Sequence, residues 1–249
     1  LITARAGVVV GSGITLSVDG DGFFTGVVTA TSYAGDGSAL TGISVDSTQI
    51  VTGNTSVQTV DTGSDGHVKV NTEGSERLRI DSAGNMGLGI TPDTQGNTVD
   101  SLQIGSATNL YNESSDDYTI LGNNVYFDGT NNKYIKTQES SRLMLNAGEF
   151  TFNQAASGSA DANITYTTAL KIDSNGHVLP GANDTYDLGS SSLRWRDIYT
   201  GDLNLSNEGK SNDVDGTRGN YTIQEGENDL FLINNRNGKK YKFNLTEVS

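Results

Sequence analysis

Apolar and polar residues alternate with a period of two along most of the chain. The alternation stops at clusters of Gly, Asn, Asp and Ser. Period two marks β-strands half-buried on one face, and the clusters are turn chemistry. The clearest stretch is Leu78-Arg79-Ile80-Asp81-Ser82-Ala83-Gly84-Asn85-Met86. Leu78 and Ile80 share one face, and Arg79 takes the other. Asp81 suits the first position of a type I turn, because its carboxylate accepts from backbone N–H groups two residues on. Gly84 suits the left-handed conformation that closes a bulged hairpin. The same word returns at residues 170–178 and 16–24, and in shortened form at 143–150. Further strands are predicted at residues 7–10, 14–18, 23–31, 57–60, 64–70, 102–104, 118–121, 125–127, 133–136 and 142–152. Three more follow at 221–224, 229–234 and 240–245. Residues 122–124, 128–132 and 235–239 read as hairpin turns. Ser38 suits the cap of one helical turn at Ala39-Leu40. The run Ala155-Ala156-Ser157-Gly158-Ser159-Ala160 reads as a low-complexity link, after which residues 163–172 resume the repeat.

A chain that repeats one hairpin word is built by stacking rather than around one enzyme-like pocket. Composition supports this. Of 249 residues 34% are hydrophobic and 31 are Gly, so the core available per residue is thin. Leu, Ile, Val and Phe are still too frequent and too periodic for a disordered chain. Hairpins alone are marginal in water, so an all-β chain of this kind borrows core from identical neighbours. Only two Pro occur, which excludes collagen and polyproline rods. Cys is absent, so there is no disulfide or Cys–zinc framework. The net charge of −14 and pI near 4.4 oppose nucleic acid or an anionic membrane as partner. The acid reads as a solvated exterior that keeps an extended object soluble. The chain begins at Leu1 and shows no basic segment followed by an apolar run, so it reads as a part of something longer with no membrane insertion.

Gly87 and Gly89 alternate with Met86, Leu88 and Ile90, leaving one strand face without side chains. That arrangement suits close approach of another backbone, such as the crowded centre of a trimer; the alternative is a flexible edge strand. There is no G-x-S-x-G, H-E-x-x-H or G-x-G-x-x-G. Gly209-Lys210-Ser211 lacks the P-loop glycine, since Asn204 stands five residues before Gly209. Two acidic runs fail as EF-hand loops, because position twelve is Val28 after Asp19 and Asp21, and Thr222 after Asp213 and Asp215. The two histidines, His67 and His177, sit in the same word, Ser-x-Gly-His-Val, so repetition explains them better than a metal site on a threefold axis. Carboxylates such as Asp116, Asp117, Asp128, Glu139, Glu149 and Asp161 leave a polysaccharide depolymerase as the enzymatic alternative, although no pair is singled out. No enzyme activity, cofactor or metal is expected.

Three stretches resemble bacteriophage tail fibre proteins, especially those of marine and cyanobacterial phages. In residues 14–43 a strand ending Thr29-Ala30-Thr31-Ser32-Tyr33-Ala34-Gly35 runs into Gly35-Asp36-Gly37-Ser38-Ala39-Leu40-Thr41-Gly42-Ile43. Residues 76–92, from Glu76-Arg77-Leu78-Arg79-Ile80-Asp81 to Thr91-Pro92, resemble a second recurring fibre element. Residues 180–205 resemble most strongly, through Asp187-Leu188-Gly189-Ser190, Arg194-Trp195-Arg196 and Ile198-Tyr199. Residues 206–249 resemble the ends of cyanophage structural proteins loosely. In the third stretch Leu188, Trp195, Ile198 and Tyr199 are apolar anchors. Arg194 and Arg196 are placed to pair with Asp187 or Asp197 or to stack on the indole.

The resemblance implies an all-β, elongated trimeric fibre of repeated β-hairpins, with a β-helix- or β-prism-like shaft and small β head or tip domains. Residues 1–43 and 44–100 would be shaft repeats, 101–180 an aromatic-rich β domain, and 181–249 a distal β tip. Gly84, Gly87, Gly89, Leu188, Trp195, Ile198 and Tyr199 are the expected assembly residues. The implied role is a virion protein of the tail that attaches the particle to its host. Its expected partners are two further copies of itself, other tail or baseplate proteins, and a surface glycan or protein receptor. The non-enzymatic alternatives are a neck or baseplate connector and a fibre of a phage-like contractile injection machine.

Overall fold

The computed structural model describes residues 14–16, 22–25, 27–29, 48–96, 99–113 and 118–248. The strand predicted at 7–10, the turn of the first repeat at 17–21 and the helical turn at 39–40 lie outside the described residues. All regular structure within them is β. Two compact units divide the chain after Ser47. In the first, β1 (Ile14–Leu16) pairs antiparallel with β2 (Gly22–Phe24).

The second unit holds a twelve-stranded sheet. It begins with β3 (Gln49–Thr52), β4 (Thr55–Val60), β5 (His67–Thr72), β6 (Ser75–Ile80) and β7 (Met86–Leu88). It continues through β8 (Val99–Ile104), β9 (Thr108–Glu113) and β10 (Tyr118–Asn123). A small separate hairpin, β11 (Tyr126–Phe127) and β12 (Asn132–Lys133), interrupts the order. The sheet then resumes with β13 (Gln138–Asn146), β14 (Glu149–Gly158), β15 (Thr167–Ile172) and β16 (Val178–Pro180). Neighbours in the sheet follow chain order, and every pair is antiparallel except β7 and β8. A four-stranded antiparallel meander completes the unit: β17 (Leu203–Ser206), β18 (Asn220–Glu225), β19 (Leu230–Asn234) and β20 (Lys240–Lys242).

The repeated word folds as its chemistry requires. Asp81 Oδ1 accepts from the N–H groups of Ala83 at 3.0 Å and Asn85 at 2.8 Å, while Gly84, at φ +90°, donates to the Asp81 carbonyl at 3.1 Å. Asp173 does the same with the N–H groups of Asn175 and His177, both at 2.9 Å, and Gly176 takes φ +87°. The shortened word forms a two-residue turn instead, with Ala147 at φ +49° and Gly148 at φ +80°. Both central residues at positive φ fit the right-handed twist of the flanking strands.

From β7 to β14 one face of the sheet is covered. The parallel step from β7 to β8 obliges the chain to cross back over this face. Residues 90–96 make part of that crossing, and residues 124–137 and 159–166 lie beside them. Beneath the cover Val99, Tyr111, Ile120, Val125 and Phe127 form the buried core, with Met144, Ile164 and Tyr166 packed against it. Many of its other buried groups are polar and paired, which is the condition for burying them. Gln103 donates to Asp93 Oδ2 at 2.7 Å and accepts from the Asp93 N–H at 2.8 Å. Asn124 accepts from the Lys136 N–H at 2.8 Å and donates to the Glu139 carbonyl at 3.0 Å. Arg142 stacks 4.1 Å over the Tyr166 ring and donates to Asn153 at 3.0 Å.

Two local expectations change. Of the strand predicted at 133–136 only Lys133 is paired in one, because Tyr134 turns under the sheet and its hydroxyl donates to the Ala156 carbonyl at 2.5 Å. The link predicted at 155–160 is strand as far as Gly158, where a Cβ would lie 2.2 Å from the Tyr134 ring. A single sheet spans residues 49–180, with residue 100 inside β8.

Candidate functional site

The register of the sheet lines up three rows of side chains across its uncovered face. The middle row is the longest. It begins at β5 and β6 with Val68 beside Ile80, which faces Met86, then Leu102 and Leu110. It continues from Leu110 through Leu121, Leu143 and Phe152 to Leu170. Row three runs Ile50, Val57, Val70, Leu78, Leu88 and Ile104, then turns polar at Thr108, Asn123, Ser141 and Gln154. Row one is polar at Asp100, Asn112 and Thr119, then apolar at Leu145, Phe150, Ile172 and Val178.

This apolar face is open. Leu121 is 51% exposed, Leu110 42%, Phe152 41% and Leu88 46%. Directly behind it, on the covered side, Gln103 and Asn109 are fully buried. At β3–β6 the opposite face is polar and half-buried. Gln49 accepts from Gln58 at 2.8 Å, Lys69 pairs in register with Arg79, and Arg79 holds Glu76 with two contacts of 2.8 Å. The hydrogen bond from Arg79 holds the Glu76 carboxyl below the usual carboxylate range. A sheet with Lys, Arg and Gln on one side and Ile, Val and Leu on the other is amphipathic, and among the described residues its apolar side is largely open, with Tyr186 and Leu188 beside Leu170 and Val178 at one end.

The expected assembly residues divide into two groups. Gly84 makes the turn described above, with open space around its Cβ position. Gly87 does meet a backbone, but it is the chain's own: a Cβ there would lie 2.1 Å from the Ile90 carbonyl oxygen and 2.8 Å from the Pro92 ring. Its side-chain-free face points to the covered side. Gly89 is past the strand at φ +71° and donates to the Arg77 carbonyl at 2.8 Å. The close approach expected at the centre of a trimer is therefore an intrachain one.

Leu188, Trp195, Ile198 and Tyr199 lie in a strand-free segment between β16 and β17. They are 75%, 63%, 68% and 91% exposed. A turn organises it locally: Ser190 donates to the Leu193 carbonyl at 2.7 Å, and Gly189 takes φ +91° beside the Trp195 ring. Arg196 pairs with Asp197 at 3.1 Å, while Arg194 donates to the Ser191 carbonyl, so neither stacks on the indole. The open rows were not singled out from the sequence, although Leu143-x-Leu145 and Phe150-x-Phe152 carried the signal.

Other chemistry is sparse. Among the described residues no three of His, Asp or Glu come together in a group that could hold a metal. His177 Nδ1 lies 3.0 Å from its own turn residue Asp173, and His67 Nδ1 lies 2.9 Å from the Asp65 carbonyl. Burial and the hydrogen bond to Asp161 raise the Tyr126 phenol, and burial raises the Asp93 carboxyl. Comparison with protein-family models, curated proteins and solved structures finds no match.

Proposed function

We propose that this chain is a distal part of a bacteriophage tail fibre, a non-enzymatic homotrimer that attaches the virion to its host. The open apolar face carries the assembly half of this reading. Twelve strands at about 4.8 Å each give a face roughly 53 Å long, and rows two residues apart are about 6.7 Å from one another. A stripe at most two rows wide then covers on the order of 700 Å² per copy, a little under the roughly 800 Å² that one partner contributes to a standard stable interface. Three copies turning this face inward would leave Lys69, Arg79 and Gln58 outward, the arrangement a soluble acidic fibre needs. The tail-fibre resemblance at residues 14–43, 76–92 and 180–205 supplies the threefold state and the attachment role. The exposed Trp195, Tyr199 and Leu188 are available for contact with tail partners or with a receptor, and threefold repetition turns weak contacts into avidity.

The test is placement on a particle. Gold-labelled antibody raised against this chain should decorate free fibre ends in virion micrographs, and the purified chain should compete with virions for adsorption to host cells. Label confined to the neck or baseplate, with no competition, would contradict attachment and make the chain a connector.

A further inference from the structure

We infer that the open face carries two complementary edges, and that row one of one copy interlocks with row three of the next. The inference rests on the trimer reading above and specifies how its chains meet. The apolar stripe does not run straight across the sheet. Over β3 and β4 it occupies row three alone, over β5–β8 rows two and three, and over β13–β16 rows one and two. Only the middle row, at Leu110 and Leu121, bridges the change. Each edge is therefore apolar over half its length and polar over the other half.

Where an edge is polar, a trough opens beside the middle row. One trough lies along row three, where Asn123, Ser141 and Gln154 face a wall of Leu121, Leu143 and Phe152. The other lies along row one, where Asp100, Asn112 and Thr119 face Met86, Leu102 and Leu110. At the level of the first trough the opposite edge raises Leu145 and Phe150, which are 37% and 42% exposed. Near the level of the second, the opposite edge raises Leu88 and Ile104, 46% and 44% exposed.

Row one against row three thus places a ridge opposite a trough at both levels. Row one against row one places ridge on ridge over β13–β14 and trough on trough over β8–β10. Heterologous contacts of this kind close into rings when the rotation allows, whereas like-to-like contacts stop at a pair. The change of edge along the sheet also fixes axial register, since a shift of a few strands sets ridge against ridge.

The chain has no cysteine of its own, so paired substitutions test this directly. Leu145 and Ser141 lie on one strand, about 13 Å apart, too far for a disulfide within a chain. The double variant Leu145→Cys with Ser141→Cys, oxidised with glutathione disulfide, should give a covalent three-chain species on a denaturing gel. Each single variant should remain uncrosslinked. Asp100→Cys with Ile104→Cys should behave in the same way at the other level, and serves if the first pair fails to fold. Crosslinking by Leu145→Cys alone, or none from either double variant in a chain that light scattering shows to be trimeric, would overturn the interlock and leave the trimer standing. A monomer by light scattering would remove both.

Discussion

Ile120 and Leu121 are adjacent in sequence and face opposite sides of the sheet, so truncating each should produce a different failure. Leu121→Ala removes three carbons, worth about 2.4 kcal/mol on complete burial. Leu121 is 51% exposed in the single chain, so roughly half of that gain, about 1.2 kcal/mol, would be realised only on assembly of the proposed trimer. Three copies lose about 3.6 kcal/mol, a fall of between 10² and 10³ in the trimerisation constant at about 1.4 kcal/mol per decade. The single chain should keep its fold, since Leu121 lies outside the buried core. Ile120 is fully buried beside Tyr111 and Val125, so Ile120→Ala should instead cost the chain about 2–5 kcal/mol of folding stability. Sedimentation equilibrium over a concentration series reads the first effect, and denaturant unfolding reads the second. A Leu121→Ala association constant within twofold of the parent would refute the reasoning. So would an unfolding loss matching that of Ile120→Ala.

Gly84→Val places a β-branched residue at φ +90° in otherwise open space, so its cost is backbone strain of about 1–3 kcal/mol, seen as a lower melting temperature. Gly87→Ala should cost more, at or above the upper end of the roughly 1–3 kcal/mol of ordinary overpacking, because the Ile90 carbonyl and Pro92 must both move. If calorimetry shows Gly87→Ala to be the milder of the two, the intrachain packing described here is wrong. Burial raises the Asp93 carboxyl, so its contribution to stability is full below the ordinary aspartate value and is lost as pH rises through the folded value. Asp93→Asn should therefore raise the melting temperature at pH 7 and leave it unchanged near pH 3; equal shifts at both would exclude the linkage. Glu76 has the opposite sign: the Arg79 hydrogen bond depresses it, so its contribution is present above the ordinary glutamate value and fades as pH falls through the folded one. Arg79→Gln should flatten that acid limb in a pH series of unfolding curves.

Much of the local structure was legible because it is set by neighbours in sequence. The Asp81 turn with Gly84 in the left-handed region follows from which residues accept and which lack a Cβ. The turn before β20 likewise follows from Asn237-Gly238, with Gly238 at φ +72° and the Asn234 N–H donating to the Lys239 carbonyl at 2.8 Å. The place of Tyr134 was not legible, because its strand-like surroundings say nothing of Gly158, twenty-four residues on, whose bare backbone admits the ring. Gly87 was legible as a close approach but not as an intrachain one, since the segment that meets it passes over the covered face.

The candidate site was only half legible. Alternation reveals that Leu121 and Leu143 share a face and that Gly122 and Arg142 share the other. It does not reveal which face is covered, because the cover comes from residues 90–96, 124–137 and 159–166. Gln103 and Asn109 would ordinarily be read as the solvent side and Leu110 as the core side. The structure reverses that assignment within the chain, and the proposed trimer would restore burial to Leu110.

The most direct test of that restoration is the mass of the chain in dilute solution by multi-angle light scattering. The account predicts three times the 26.3 kDa of one chain, a value that holds on dilution into the low micromolar range. A single 26.3 kDa species, soluble and stable with its apolar face uncovered, would contradict it.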